Sequence, residues 1–258
     1  MILDKIVETK KEEVAALKKT TSVAALEEVI AGLAPCRDFR EAISGADCSI
    51  IAEVKCASPS RGRLVERFEP LIIAKTYDQN GAAAISVLTD ETYFMGHKDY
   101  LTEIKRHVRL PVLRKDFIID PIQVYETHAM GADAILLIVC VLEKRLAEFL
   151  ALSKTQGLHP LVEVHTEDEM AIALDAGAEI IGINNRNLDT FVTDINTSRD
   201  LKKKIPAGVT VVAESAIKDR ADIEYLMHEG IHAFLIGESL VIAPDIGRKL
   251  RLFLGDES

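Results

Sequence analysis

The 258-residue sequence has no tryptophan, and only 5% of its residues are aromatic. Its four cysteines, Cys36, Cys48, Cys56 and Cys140, are widely separated, with no C-x-x-C pair and no histidine pattern beside them. Neither a zinc site nor a disulfide framework is therefore indicated, no metal is expected, and a reducing cytoplasm is the expected location. No stretch reaches the ~18 uncharged apolar residues of a membrane span. The opening segment, MILDKIVETKKEEVAALKK, is charged throughout and lacks the apolar centre of a secretion signal. Positive charge is also scarce: 31 lysines and arginines face 41 acidic residues, a formal net charge of −10. A nucleic acid or an anionic membrane needs a continuous basic surface, so neither is expected as a partner. The one dense basic run, Lys202, Lys203 and Lys204 before Pro206, reads as a helix end complementing its own dipole. There is no G-x-G-x-x-G turn of the kind that opens a dinucleotide-binding sheet.

What is present is an alternation of short, β-branched apolar runs with longer stretches of helical period, the pattern of parallel strands joined by crossover helices. Eight such runs occur: SIIAEVK from Ser49, AAISVLT from Ala83, PVLRKD from Pro111, ADAILLIV from Ala132, PLVEVH from Pro160, EIIGINN from Glu179, VTVVAES from Val209 and HAFLIG from His232. Gly81, Gly131, Gly177 and Gly230 each end a helix just before a strand. They recur roughly every 50 residues, two βα units apart, where a left-handed residue stops the helix. A (β/α)₈ barrel accommodates this count better than an open sheet. The expected organisation is one domain over residues 1–258, with a helical extension over 1–47 and the barrel over 48–258. In the extension, Leu3, Ile6, Val7, Val14 and Leu17 form an imperfect apolar stripe, and DFREAI from Asp38 reads as a short helix. The extension either packs over the barrel or acts as a lid. The chain stops just after the eighth helix, so no fused second enzyme is expected.

Enzymes of this architecture build their sites at the carboxyl ends of the strands. On the first strand, Glu53 and Lys55 lie two residues apart and share a face, with Ala52 and Val54 on the other. The following loop, CASPSRGR, is small and polar, as a ligand loop would be. Lys115 ends the third strand, with Arg114 and Asp116 directed away from it. A lysine at a barrel mouth has its pKa lowered by desolvation and held up by carboxylates, which suits a general acid. Glu163 on the fifth strand faces the same interior, whereas His165 fits a base and a structural histidine equally well. The sixth strand contributes Asn184 and Arg186 at the same two-residue spacing, with Asn185 facing away, and a guanidinium fork matches a carboxylate. The seventh strand ends in Glu214 and Ser215, the eighth in Gly237 and Glu238. Those two loops are where barrels commonly hold phosphate on backbone N–H groups.

Taken together, IAEVKCASPSRG, SVLTDETYFMG, PVLRKDFIID, LVEVH, IGINNRNL and LIGESL resemble the indole-3-glycerol-phosphate synthase family of tryptophan biosynthesis. The similarity runs from about residue 3 to the end and includes the helical extension. It implies a decarboxylating, dehydrating closure of an indole ring from a phosphorylated carboxyphenylamino-deoxyribulose, without a cofactor. By that resemblance Lys115 is the general acid, Lys55 holds the anionic substrate and shares acid duty, and Glu163 assists the proton transfer. Glu53 and Asn184 serve the later dehydration. Ser58 and Arg186 engage the anthranilate carboxylate, and Phe94 and Phe117 wall the ring. Two positions depart from the family pattern. Ala216 replaces the usual glycine in Glu-Ser-Gly-Ile, at a loop whose backbone approaches phosphate, and Cys56 replaces a common lysine but should face away from the mouth. The alternatives are another barrel of the pathway, such as phosphoribosylanthranilate isomerase, and a non-catalytic barrel binding a phosphorylated metabolite. The interior lysine pair with Arg186 favours ring closure over the first, and the paired acid and base groups speak against the second. Whether the chain associates with other enzymes of the pathway is left open.

Overall fold

The computed structural model describes residues 2–45, 47–187 and 192–256. Eight parallel strands close into a barrel: β1 (Ser49–Val54), β2 (Ala84–Leu88), β3 (Val112–Lys115), β4 (Ala134–Ile138), β5 (His159–Val164), β6 (Ile180–Asn184), β7 (Thr210–Glu214) and β8 (Ala233–Ile236). Each pairs with its sequence neighbours, and β1 closes the ring on β8, with Ser49 opposite Ala233. Helices follow the strands and cover the outside. The four glycines act as the repeat predicts: Gly81, Gly131, Gly177 and Gly230 have φ of 91°, 86°, 80° and 79°, the left-handed region that terminates a helix.

Strand alternation divides the core in two. Ile50, Ala52 and Val54 of β1 join the apolar layer between strands and helices, while Ile51 joins Leu113, Ala134, Leu161, Ile180, Val212 and Ala233 inside the barrel. The inner cluster mixes large and small residues, so the barrel is packed solid. Its lower end is plugged by α3 (Phe39–Ile43), whose Phe39 and Ile43 are buried in that cluster. Asp38 caps α3 by accepting from the Glu41 N–H, as the DFREAI reading anticipates. With the middle of the barrel interior filled by hydrocarbon and α3 inserted below it, the inward-facing polar side chains of the strands gather at the upper end.

The extension begins with α1 (Ile2–Thr20) and α2 (Val23–Ile30). Ile6 and Val14 of the expected stripe are buried, and Leu3, Val7 and Leu17 are half-buried. The far end of α1 is tied down by Lys18, whose ammonium lies 2.6 Å from Asp120, the residue that caps the helix Pro121–Ala129. Among the described residues no helix is long and apolar enough to cross a membrane.

Candidate active site

Strand register assembles the mouth. Asn184 of β6 stands opposite Glu214 of β7, and Glu163 of β5 stands opposite Gly182 of β6. A Cβ at Gly182 would collide with the Glu214 carboxyl, so the glycine makes the space that Glu214 occupies. Gly237, at the end of β8, plays the same part for Glu53.

At the centre is Lys115, whose Nζ lies 3.2 Å from Glu163 Oε2 and 3.7 Å from Glu214 Oε2. The other Glu163 oxygen accepts from Asn184 Nδ2 at 3.0 Å, and Asn184 Oδ1 accepts from the Arg186 N–H at 3.0 Å. Beside this array, Lys55 Nζ lies 3.2 Å from Glu53 Oε1 and 5.4 Å from the centre of the Phe94 ring. Phe94 and Phe117 face each other with ring centres 6.1 Å apart. Arg114 and Asp116 point away into a buried network with Thr89 and Glu126, as strand alternation requires.

Burial pulls the Lys115 ammonium toward a lower pKa, but Glu163, Glu214 and Glu53 outweigh it and hold the group above the ordinary lysine value. Of the two opposing effects expected from sequence, the carboxylates win, and Lys115 stays protonated. The compensating strain falls on Glu214. Burial first, then the neighbouring Glu163 charge, pushes its carboxyl up to about 8, against the pull of Lys115. Near neutrality Glu214 keeps its proton.

These groups line two adjoining lobes of one depression. The more apolar lobe, about 100 Å³, is bounded by Ile2, Leu3 and Ile6 of α1, together with Ser58, Phe94, Phe117 and Leu136. The more polar lobe, about 240 Å³, is bounded by Ser215, Ala216, Lys218, Gly237 and Glu238. Glu53, Lys55, Lys115, Asn184, Arg186 and Ser215 border both. Every site residue expected from sequence thus meets at one place. Among the described residues, Ser58 Oγ and Arg186 Nε are buried without a hydrogen-bond partner. In the polar lobe, Ser215 and Ala216 hold φ of 63° and 65°, a left-handed turn built without glycine. Gly237 leads into the short helix Glu238–Val241. The Glu238 carboxylate does not face open space: Arg61 of the β1 loop lies 2.5 Å from one oxygen and Arg186 lies 3.8 Å from the other.

His165 borders neither lobe. Its ring nitrogen bonds the Asn184 carbonyl at 2.7 Å, and its N–H donates to Glu169, so it buttresses the ends of β5 and β6. Two contributors, Lys218 and Arg61, are not among the residues expected from sequence, whereas α1 takes one of the two placements expected for the extension. Lys218 lies just beyond the β7 turn, Arg61 engages Glu238, and the start of α1 roofs the apolar lobe. A separate cavity of about 570 Å³, lined by Asp38, Arg40, Lys202 and His232 among others, opens at the opposite end of the barrel and contains none of the expected site residues.

The indole-3-glycerol phosphate synthase family model matches residues 3–253. The chain belongs to the indole-3-glycerol phosphate synthase family. It is 50% identical over 247 residues to the indole-3-glycerol phosphate synthase of Chlorobaculum tepidum, covering 95% of this chain and 96% of that one. To the protein of the same name from Desulforamulus reducens it is 46% identical over 254 residues, covering 97% and 96%. Among solved structures, a 3-hexulose-6-phosphate synthase superposes with a TM-score of 0.65 at 14% identity, covering 81% of this chain and all of that one. A likeness so remote in sequence attests the barrel fold alone. Membership in the indole-3-glycerol phosphate synthase family places the chain among the decarboxylating lyases of tryptophan biosynthesis.

Proposed function

We propose that the two-lobed mouth closes the indole ring of 1-(2-carboxyphenylamino)-1-deoxyribulose 5-phosphate, with Lys115 as the general acid. The observation that carries this reading is a charged lysine held between two carboxyl groups at the junction of an apolar and a polar lobe. The anthranilate ring enters the apolar lobe against the Phe94 and Phe117 walls, and its carboxylate takes up the unsatisfied Ser58 Oγ and Arg186 Nε. The phosphate lies in the polar lobe against the backbone of Ser215, Ala216, Gly237 and Glu238, whose N–H groups suit an anion. Lys55, at the border of both lobes, holds the anionic substrate and shares acid duty.

In this arrangement the ring carbon bearing the carboxylate attacks the ketone carbon, and the carbonyl electrons take a proton from Lys115. Loss of carbon dioxide returns its bonding electrons to the ring and restores aromaticity. The new hydroxyl then leaves as water, with a proton taken from the neighbouring carbon, a step assigned to Glu53 and Asn184. Glu163, bonded to both Lys115 and Asn184, connects the two proton transfers. Glu214, protonated below about pH 8, can return a proton to Lys115. No step in this scheme requires a metal or organic cofactor. The free cysteines agree with a cytoplasmic setting.

The absence of tryptophan makes the test direct, because an indole product fluoresces against a background of tyrosine alone. Turnover of the carboxyphenylamino substrate is expected to raise indole emission. Lys115→Met should abolish that rise, by at least ~100-fold in rate, while retaining ligand binding. Full turnover by the variant would remove Lys115 from its role, and no indole from the wild type would overturn the reading.

A further inference from the structure

Lys10 of α1 lies in a run of charged residues, yet it is only 1% exposed. Its Nζ is 2.7 Å from Asp90 Oδ2, 3.0 Å from Asp116 Oδ1 and 2.8 Å from Glu13 Oε2. Burying an ammonium costs several kcal/mol unless it is fully paired, and here the pairing comes from two different loops of the barrel mouth. Asp90 follows β2, and its Oδ1 accepts from the N–H groups of Tyr93 at 2.7 Å and Phe94 at 3.1 Å. Asp116 follows β3, and its Oδ1 accepts from the Phe117 N–H at 2.8 Å. Each aspartate thus fixes the backbone beneath one wall of the apolar lobe, and one ammonium joins the two. A second contact on the same side, Thr9 Oγ1 to Tyr93 Oη at 3.0 Å, holds the Phe94 loop to α1 again. The helix that brings Lys10 also supplies Ile2, Leu3 and Ile6 to that lobe.

We propose that Lys10 is a positioning residue for the aromatic half of the ligand: by clamping Asp90 to Asp116 under α1, it sets the spacing of Phe94 and Phe117. This rests on the ring-closure reading, which places the aromatic ring against those two side chains. Asp116 is also bound by Arg114, so Lys10 is not needed to neutralise it. Thr89 also bonds Asp116 across the two loops; what Lys10 adds is the charged link between Asp90 and Asp116 and from both to the helix above them. Burial opposes the Lys10 charge, but Asp116 and Asp90 raise its pKa above the ordinary lysine value, so the clamp is charged at neutral pH. A helix that merely needed anchoring has Lys18 and its apolar stripe for the purpose.

The test compares an aromatic phosphate ligand with phosphate alone. In Lys10→Met, binding of indole-3-glycerol phosphate, read from indole fluorescence, is expected to weaken about tenfold, because misplaced walls degrade fit at the ring. Protection against thermal unfolding by inorganic phosphate should be unchanged, since the polar lobe lies outside the clamp. Lys10→Arg, which keeps the charge but adds bulk at a buried site, should lose less product affinity than Lys10→Met. Equal loss for both ligands, or no loss for either, overturns the proposal in favour of a purely structural lysine. If Lys10→Met does not fold, Asp90→Asn decides: it keeps a cap for Tyr93 and Phe94 but weakens the clamp, and unchanged product affinity in that variant overturns the proposal. A wild-type protein that neither turns over the substrate nor binds the product sinks the ring-closure reading instead.

Discussion

Replacing Glu214 with glutamine isolates the electrostatic cost of the mouth. Glu214 is buried, with one carboxyl oxygen lacking any hydrogen-bond partner and the other 3.7 Å from Lys115. Its carboxyl rises from 4.5 in the unfolded chain to about 8 in the folded one, chiefly through burial and then through the Glu163 charge. A carboxyl raised in this way binds its proton more tightly when folded. It therefore contributes stability at low pH that is lost as pH climbs from the unfolded value through the folded one. At ~1.4 kcal/mol per pH unit the full window amounts to about 5 kcal/mol, of which about 4 kcal/mol falls between pH 5 and pH 9. Lys115 is coupled to the same carboxyl and shares the change, so the effect falls short of the full window, on the order of 2–4 kcal/mol. Glutamine has nearly the same shape and no proton to lose. Glu214→Gln should therefore match the wild type within about 1 kcal/mol at pH 5 and exceed it by about 2–4 kcal/mol at pH 9. Urea unfolding followed by circular dichroism at both pH values reads the difference, and subtracting the two proteins cancels every titration they share. A difference that stays flat from pH 5 to pH 9 would mean that Glu214 ionises as an ordinary carboxyl, and the account of a proton held at the mouth would be wrong.

Two further substitutions test the backbone of the polar lobe. Ala216, at φ 65°, holds a conformation that favours glycine, so Ala216→Gly should raise stability by about 0.5–1 kcal/mol once the added freedom of the unfolded chain is subtracted; a loss of stability in urea melts would contradict the strain. Gly237→Ala places a methyl group against the Glu53 side chain and should cost about 1–3 kcal/mol together with most of the indole-forming activity, whereas a variant of wild-type stability and rate would show that Glu53 has room to move.

The barrel and the centre of its site are legible in the sequence because both depend on local periodicity. A strand of five or six residues with alternating faces decides on its own that Glu53 and Lys55 point inward with Ile51, and that Arg114 and Asp116 point away from Lys115. The helix-ending glycines are local as well, since a left-handed φ is a property of one residue. Lys10 is not legible in this way. Next to Lys11, which lies on the surface paired with Glu8, it looks like one more solvated lysine, and the two aspartates that bury it come from loops 80 and more residues away. Gly182 escaped notice for the same reason, because the atom it makes room for belongs to the next strand. His165 was undecidable until its bond to the Asn184 carbonyl showed which way the ring turns.

The family departure at Ala216 can be weighed against these contacts. A methyl group in place of a hydrogen would force the turn open if the backbone were free to relax, yet Ser215 and Ala216 keep consecutive left-handed conformations. The surrounding bonds over-determine the turn: Asn185 Nδ2 donates to the Ser215 carbonyl at 3.2 Å, and Ser239 Oγ donates to the Ile217 carbonyl at 2.7 Å. The carbonyls on either side of Ala216 are thus held from β6 and from the helix after β8, the neighbours on each flank of β7. With both carbonyls held, the methyl group costs conformational strain at a left-handed φ that the turn retains. Stability, rather than the shape of the turn, bears the substitution.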